Sequence, residues 1–318
     1  PPLYSSAASD VYKRQVLLVM LKSKKFIVSA LLIGSIFTGS FNSSVQADTN
    51  DSSNVGSAYD VPMKSYSGYS LYEFGAMTHK SGYTENIQLA QSIPNGATSI
   101  YPVKTPKIAM IGNRSDDGKT FSYGTGTAIG YHTLITNAHV VQKSSILKPY
   151  DTQYLNQLFV EPKRTPDDTP AHLKVTKVDM IEGSDLALVH TKENLKSYLP
   201  IYELESEQKI KDVKNGDMRI KMQSYSYHPT DKYKNSPRFT AFESNGFYLN
   251  NANSIHPVNY LKIAGSGGGS GAALIDMQNK VVGVFAASYN SPVAKDSLFK
   301  GGYSLTGDTR KQVENKTY

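Results

Sequence analysis

Beyond about residue 100, short hydrophobic runs alternate with clusters of turn residues. The runs are rich in Val, Ile and Leu and have the usual length of strands. They predict strands at residues 107–111, 120–129, 133–136, 157–160, 172–181, 186–190, 218–226, 238–242, 246–249, 258–263, 272–275, 281–286 and 302–305. Because no helices alternate with these runs, they indicate an all-β barrel or sandwich. One helix is predicted at residues 309–315, with Asp308 as its cap.

The N-terminal region carries the pattern of a secretory signal peptide. Three lysines at residues 22–25 precede an apolar run at 26–37, which is too short to span a membrane. Small residues around Ala47 form a cleavage site, so we expect residues 20–47 to be the signal peptide. Residues 1–19 do not resemble a targeting segment, and we expect them to be an artefactual extension that precedes the natural start.

Residues 48–99 are polar and rich in Ser, Tyr and Asn. We expect them to form a propeptide or a loosely packed N-terminal extension, and the sequence does not separate the two. Residues 100–318 then form the folded domain.

Composition removes several classes of chemistry. The chain has no cysteine, which excludes disulfides, zinc–thiolate sites and thiol nucleophiles. A secreted protein without cysteine fits the exterior of a Gram-positive bacterium, where packing alone must stabilise the fold. The formal charge is +7, but no basic patch with interleaved aromatic residues indicates nucleic-acid binding. We expect no cofactor and no metal.

Two residues upstream have the setting of catalytic groups. His139 follows the predicted strand 133–136 through a turn of small residues, whereas the other histidines lack metal-ligand spacing and are expected to be structural. Asp185 opens the apolar run 186–190. An aspartate at such a position often only caps a turn. It can also accept the Nδ1–H of a histidine and stabilise the imidazolium that forms during catalysis.

A glycine-rich stretch, residues 264–276, reads AGSGGGSGAALID and surrounds Ser266 and Ser270 with glycines. Such a stretch is either a flexible linker or a loop that presents a nucleophilic serine beside backbone N–H groups. A histidine, an aspartate and then a serine follow each other in the order that two-barrel serine proteases use. This order favours the interpretation of residues 264–276 as a nucleophile loop over that of a flexible linker.

The segments TNAHVV, SDLALVH and GGSGAALID, the last followed by VVGVF, resemble a known family. This is the secreted glutamyl endopeptidase and exfoliative-toxin family of trypsin-like serine proteases from Gram-positive bacteria. The resemblance covers about residues 100–318, and three motifs in the family's order are more specific than any one alone. It implies a chymotrypsin-like fold: two six-stranded antiparallel β-barrels, a C-terminal helix and an active site between the barrels.

The resemblance also assigns the nucleophile. In the family, the nucleophile is followed by glycine, two small residues, two hydrophobic residues and Asp or Asn, and residues 270–276 match this pattern. Ser270 is therefore expected to be the nucleophile rather than Ser266, with His139 as its base and Asp185 as the partner of His139. The backbone N–H groups of Gly268 and Ser270 are expected to form the oxyanion hole.

By the same resemblance, the specificity pocket is expected to contain Lys262, Gly265, Ser266, Phe285 and Ala287. Glutamate-specific members have a histidine where Phe285 stands and a threonine where Gly265 stands. Because burying an unpaired carboxylate is costly, we expect a preference for a neutral, apolar residue before the scissile bond. Lys262 leaves an acidic preference open if its amine reaches the pocket.

Another departure is Gly269, which precedes Ser270 where trypsin-type enzymes have aspartate and this family usually has asparagine. Without that aspartate, a new N-terminal amine has no ion-pair partner there and cannot activate the enzyme. The sequence leaves open whether the glycine-rich loop is soft, with a collapsed and poorly active ground state.

The predicted function is thus a secreted, monomeric serine endopeptidase that acts on proteins or peptides and has no stable membrane association after signal cleavage. One alternative is a catalytically silent homologue that binds a host protein. Another is a narrow-specificity protease resembling the exfoliative toxins.

Overall fold

The computed structural model describes residues 82–115, 117–142, 155–252, 257–289 and 292–318. The expected signal peptide, the extension at 1–19 and residues 48–81 of the polar segment lie outside the described residues. Within the described part of the chain, no helix is both long and apolar enough to cross a membrane.

Thirteen strands form the framework of the part of the chain that the structure describes. They are β1 (Ser99–Pro102), β2 (Ala109–Arg114), β3 (Phe121–Ala128), β4 (Thr133–Thr136), β5 (Leu158–Pro162), β6 (Val175–Ile181), β7 (Leu186–Thr191), β8 (Met218–Ser224), β9 (Phe242–Asn251), β10 (Val258–Lys262), β11 (Ala273–Asp276), β12 (Val281–Ser288) and β13 (Phe299–Ser304). All their pairings are antiparallel.

The helices are short. They are α1 (Tyr83–Ser92), α2 (Ala138–Val141), α3 (Glu207–Lys211), α4 (Pro292–Asp296) and α5 (Gly307–Lys316), with 3₁₀ turns at Asn95–Ala97, Leu195–Ser197 and Asp231–Tyr233. The C-terminal helix α5 confirms the sequence prediction, but its cap differs. Thr306 is the extended N-cap residue, and Asp308 lies in the first turn, where a negative charge favours the helix dipole.

The first sheet has six strands in the order β5-β2-β3-β4-β7-β6. An antiparallel bridge between Val160 and Leu173 links its two ends, so the sheet curls into a barrel. Alternate positions of its strands face inward, and Val, Leu and Ala make up most of the buried interior.

The second sheet closes more completely. Strands β8, β9, β10, β13, β12 and β11 form a ring, since β8 pairs with both β9 and β11, and β1 adds a seventh strand at the edge of β9. The two six-stranded antiparallel barrels expected from the sequence are therefore confirmed. The expected strand at 238–242 is wrong, because β9 begins at Phe242 and runs unbroken through 246–249.

Helix α1 packs on the outside of the second sheet. Its residues Ile87 and Ala90 are buried in one cluster with Leu249, Tyr260 and Phe299. The sequence analysis did not predict this helix, because only one side of a single short helix is apolar and its neighbours are polar. Whether the segment 48–99 as a whole is a propeptide or an extension stays a prediction.

Candidate active site

Strands β4 and β7 bring His139 and Asp185 together. They pair with Thr136 opposite Ala187, so the end of β4 lies beside the start of β7. His139 belongs to the short helix α2 just after β4, and Asp185 directly precedes β7. The two side chains are buried, and His139 Nδ1 lies 2.5 Å from Asp185 Oδ2.

The Asp185 carboxylate contacts both the backbone N–H and the ring of His139. The His139 backbone N–H donates to Asp185 Oδ1 at 2.9 Å, and Asn137 Nδ2 donates to the Asp185 carbonyl oxygen at 2.8 Å. Because a carboxylate only accepts hydrogen bonds, Nδ1 carries the proton and Nε2 presents a lone pair. This is the tautomer that a general base needs.

The glycine-rich loop docks onto the first sheet beside this pair. The Thr125 backbone N–H donates to the Ser270 carbonyl oxygen at 2.8 Å. Gly271 has φ +87°, and a Cβ atom there would lie 2.1 Å from Thr136 Oγ1, so only glycine fits. A Cβ atom at Gly124 would clash with both Val140, next to His139, and the Ser270 carbonyl oxygen. Ser270 and His139 thus meet at one seam between the two sheets.

The Ser270 hydroxyl is buried and makes no hydrogen bond within the described part of the chain. A hydrogen bond from Ser270 Oγ to His139 is therefore not formed in this arrangement. Hydrogen bonds between nucleophile and base commonly tighten only when substrate is bound. The structure brings the three expected catalytic residues to one seam but leaves this last contact open.

The backbone around Ser270 leaves two donors unused. Gly269 N–H donates to the Ser266 carbonyl at 3.0 Å, and the Gly267 carbonyl accepts from Tyr227 N–H at 2.7 Å. Gly268 N–H and Ser270 N–H have no acceptor among the described residues. Gly268 has φ +79°, and a Cβ atom there would lie 2.4 Å from the Tyr225 carbonyl oxygen, so a side chain is excluded. Two free N–H groups flanking the serine are what an oxyanion hole requires.

Ser266 has a different environment. Its hydroxyl donates to the Tyr227 carbonyl oxygen, and its backbone N–H donates to Ser226 Oγ at 3.3 Å. Ser266 therefore ties the loop to the segment after β8. Ser226 also fills the space beside Gly269, where a Cβ atom would lie 2.5 Å from Ser226 Oγ. The side chain missing at Gly269 is thus replaced by a neighbouring hydroxyl.

No cluster of three or more His, Asp or Glu side chains suited to a metal ion occurs in the described ranges. The chemistry available at the seam is that of the serine, the histidine–aspartate pair and the backbone donors.

The model of the trypsin-like peptidase domain family matches residues 124–284, half of the chain. The matched part contains His139, Asp185 and Ser270. The chain belongs to the trypsin-like peptidase domain family. A search among curated protein sequences found no match.

Solved structures with this trypsin-like fold include a Glu endopeptidase in complex with MPD, which is 18% identical, with a TM-score of 0.50 over 68% of this chain and 95% of that one. An inactivated protease paralogue of the scabies mite is 14% identical, with a TM-score of 0.49 over 66% and 94% of the two chains. The active form of a protease from M. tuberculosis is also 14% identical, with a TM-score of 0.45 over 66% and 81%. At these identities the likeness concerns the fold alone.

In this trypsin-like domain, two of the residues expected in the specificity pocket, Gly265 and Phe285, lie against each other. A Cβ atom at Gly265 would lie 3.0 Å from Phe285 Cζ and 3.2 Å from Met222 Cε, so Phe285 closes over the glycine. Phe285 also pairs with the nucleophile loop, because its carbonyl accepts from Gly271 N–H at 3.0 Å. The side chain of Ala287 lies outside those that the structure describes.

Lys262 is the clear correction. Its amine donates to the Ala90 carbonyl at 2.7 Å, to Asn95 Oδ1 at 2.7 Å and to the Ser297 carbonyl at 2.9 Å. On β10 the side chain shares the outer face with Tyr260, which packs under α1. The amine is therefore turned toward the N-terminal helix and does not line the pocket of this trypsin-like domain.

Thr125 lies at the seam, but no sequence pattern indicated a role for it. The Thr125 hydroxyl accepts a hydrogen bond from Tyr225 N–H at 3.1 Å and donates one to the Gly268 carbonyl at 2.8 Å. It therefore positions the glycine-rich loop. A threonine on a strand is too common to attract notice.

Proposed function

We propose that this trypsin-like peptidase domain is a serine endopeptidase that works through an acyl-enzyme intermediate. The observation that carries the proposal is the seam itself: Asp185 holds the ring of His139 in the basic tautomer where the Ser270 loop docks. The two unused N–H groups beside Ser270 support the same function.

The mechanism follows from this arrangement. His139 Nε2 takes the proton from Ser270 Oγ as the oxygen attacks the peptide carbonyl. The tetrahedral oxyanion accepts hydrogen bonds from Gly268 N–H and Ser270 N–H, each contributing about 3 kcal/mol in comparable enzymes. His139 then gives the proton to the leaving amine, and water releases the acyl group by the reverse steps. Asp185 stabilises the imidazolium throughout.

We also propose that the protein is secreted by a Gram-positive bacterium and acts as a monomer on proteins or peptides. The support is the signal-peptide pattern at residues 20–47 and the absence of cysteine. A closer relation to the glutamyl endopeptidase and exfoliative-toxin family is supported by the three motifs around His139, Asp185 and Ser270.

The experiment uses the full chain, secreted from a Gram-positive host and treated with a fluorophosphonate probe. The probe should label the wild-type protein and fail to label Ser270→Ala. Ser266→Ala is the matched control and should keep its labelling, because its hydroxyl is engaged by Tyr227. Absence of labelling in the folded wild-type protein, or labelling that survives Ser270→Ala, would contradict the proposal.

One observation keeps a second function in view. The Ser270 hydroxyl lacks its hydrogen bond to His139 in this arrangement, as it would in a silent homologue that uses the cleft to bind a host protein. A folded protein that resists the probe and cleaves no peptide library would favour this function. Cleavage of a single host protein and no library peptide would instead indicate narrow, toxin-like specificity.

A further inference from the structure

Ser226 is a buried serine that the mechanism above does not use. It lies just beyond the end of β8 and keeps only 2% of its surface exposed. Its hydroxyl forms a hydrogen bond with the Ser224 hydroxyl at 2.8 Å and accepts the Ser266 backbone N–H at 3.3 Å. The first bond holds Ser226 at the end of β8, and the second connects it to the glycine-rich loop.

The Ser226 hydroxyl occupies the space that a side chain at residue 269 would take. A Cβ atom at Gly269 would lie 2.5 Å from Ser226 Oγ, which is too close for two non-bonded atoms. Unlike Gly268 and Gly271, Gly269 has no positive φ, so its backbone would accept a side chain. Ser226 is thus the closest obstacle to a side chain there, and the Ser266 carbonyl oxygen, at 2.9 Å, is the next.

Residue 269 lies between the two N–H groups assigned to the oxyanion hole. Rotation of the backbone at Gly269 changes the direction of Ser270 N–H relative to Gly268 N–H, and glycine permits more rotation than any other residue. The contact with Ser226 restricts this freedom on one side of the loop. Thr125 restricts it on the other, because its hydroxyl donates to the Gly268 carbonyl at 2.8 Å.

We propose that Ser226 is a positioning residue that keeps the oxyanion hole formed before substrate binds. The inference rests on the proposed endopeptidase function. The Ser226 hydroxyl acts through the loop: it packs against Gly269 and accepts the backbone N–H of Ser266. A hydroxyl from another segment of the chain thus takes the place of the side chain that residue 269 lacks. Donors fixed in advance cost no reorganisation when the oxyanion forms.

The shared space makes Ser226 and Gly269 depend on each other. A Cβ atom at residue 269 overfills the space while the hydroxyl is present, and removal of the hydroxyl leaves a gap. Overfilling and gaps both disturb a packed site. A Cβ atom added at residue 269 after the hydroxyl is removed should fill the gap from the other side. The two substitutions should therefore not be additive.

The test measures kcat and KM of the full chain with a fluorogenic peptide, and the rate constant for fluorophosphonate labelling. Ser226→Ala should lower kcat about tenfold, less than the roughly 100-fold lost with an oxyanion donor itself. KM should stay within about twofold, because a donor used only in the transition state does not hold the substrate. Labelling should slow by a factor similar to that in kcat, since the phosphonyl oxygen enters the same hole.

The double variant tests the shared space directly. Gly269→Ala alone should lower kcat by about tenfold or more, because its Cβ atom meets the Ser226 hydroxyl. Ser226→Ala combined with Gly269→Ala should be at least about fivefold more active than Gly269→Ala alone. The close approach to the Ser266 carbonyl is present in both variants, so it does not affect this comparison.

Ser122→Ala is the matched control. Ser122 lies on β3 of the first barrel, is as buried as Ser226, and forms no hydrogen bond through its hydroxyl within the described part of the chain. This variant removes the same atom from a serine outside the loop, and kcat should stay at the wild-type value. Circular dichroism gives the folded fraction of every variant, and activities are compared per folded molecule.

Three results would overturn the inference alone: a wild-type kcat in Ser226→Ala, a change confined to KM, or a double variant no more active than Gly269→Ala. A folded wild-type protein that is neither labelled nor active overturns both this inference and the proposed function.

Discussion

The first barrel contains two buried histidine–aspartate pairs, and they differ in what surrounds them. His139 lies 2.5 Å from Asp185, and His190 Nε2 lies 2.9 Å from Asp179 Oδ2. The other ring nitrogen of His190 contacts Thr133 Oγ1 at 3.1 Å. His139 instead lies where the second barrel inserts the Ser270 loop. The pair chemistry is the same, and its position in the fold decides whether it can act on a substrate.

The environment of His190 is closed by Tyr318. The ring of Tyr318 stacks on His190 with centroids 4.6 Å apart, and the Tyr318 carbonyl accepts from Thr133 Oγ1 at 3.0 Å. Lys177 also pairs with Asp179 at 2.7 Å. This second pair joins β6, β7 and Tyr318, so we assign it to stability.

The largest effect on activity is expected from a change of Asp185, the partner of His139. Asp185→Asn should lower kcat/KM about 10⁴-fold, as in other enzymes with a Ser–His–Asp triad, because an amide no longer selects the tautomer with a free Nε2. Steady-state hydrolysis of a fluorogenic peptide measures this. The folded fraction is checked by circular dichroism. A loss of less than tenfold would show that Asp185 does not orient the catalytic base.

The same substitution in the other pair should act on stability. Asp179→Asn removes the charged acceptor of His190, and we expect the free energy of unfolding to fall by about 1–3 kcal/mol. Urea unfolding followed by circular dichroism gives this value. Activity per folded molecule should stay within about threefold of wild type. If Asp179→Asn lost activity as severely as Asp185→Asn, the division of roles between the two pairs would be wrong.

The smallest effect is on the pH dependence of stability. Burial lowers the pKa of His190, opposed by the hydrogen bond and charge of Asp179. The unfolded chain therefore takes up this proton first as pH falls below about 6.5, and stability declines through the folded pKa by at most about 1.4 kcal/mol per pH unit. Thermal unfolding between pH 5 and 8 should show this slope in the wild type and a shallower one in His190→Gln. Equal slopes would exclude His190 as the group responsible.

Much of the site could be predicted without coordinates. The alternation of short hydrophobic runs indicates β-strands, because side chains on a strand alternate between two faces. The order of His139, Asp185 and Ser270, with glycines around the serine, indicates a nucleophile and its base because few other arrangements need those residue types together. The structure brings them to one seam.

The sequence did not indicate how the environments of the two buried lysines differ. Lys262 and Lys300 both lie on strands among apolar residues, and periodicity alone shows neither which face is internal nor what covers it. Helix α1 covers the outer face of β10 and supplies one acceptor for Lys262, the Ala90 carbonyl, whereas the bulge in β12 brings Ser288 opposite Lys300.

The sequence by itself thus determined the class of fold, the order of the candidate catalytic residues and the loop that holds the serine. These are properties of local pattern and residue type, which a single strand or turn already contains. Only the tertiary structure decided which histidine–aspartate pair meets the serine and what surrounds each of the two buried lysines. Those outcomes depend on strand register and on contacts between residues far apart in the chain, and no local pattern encodes them.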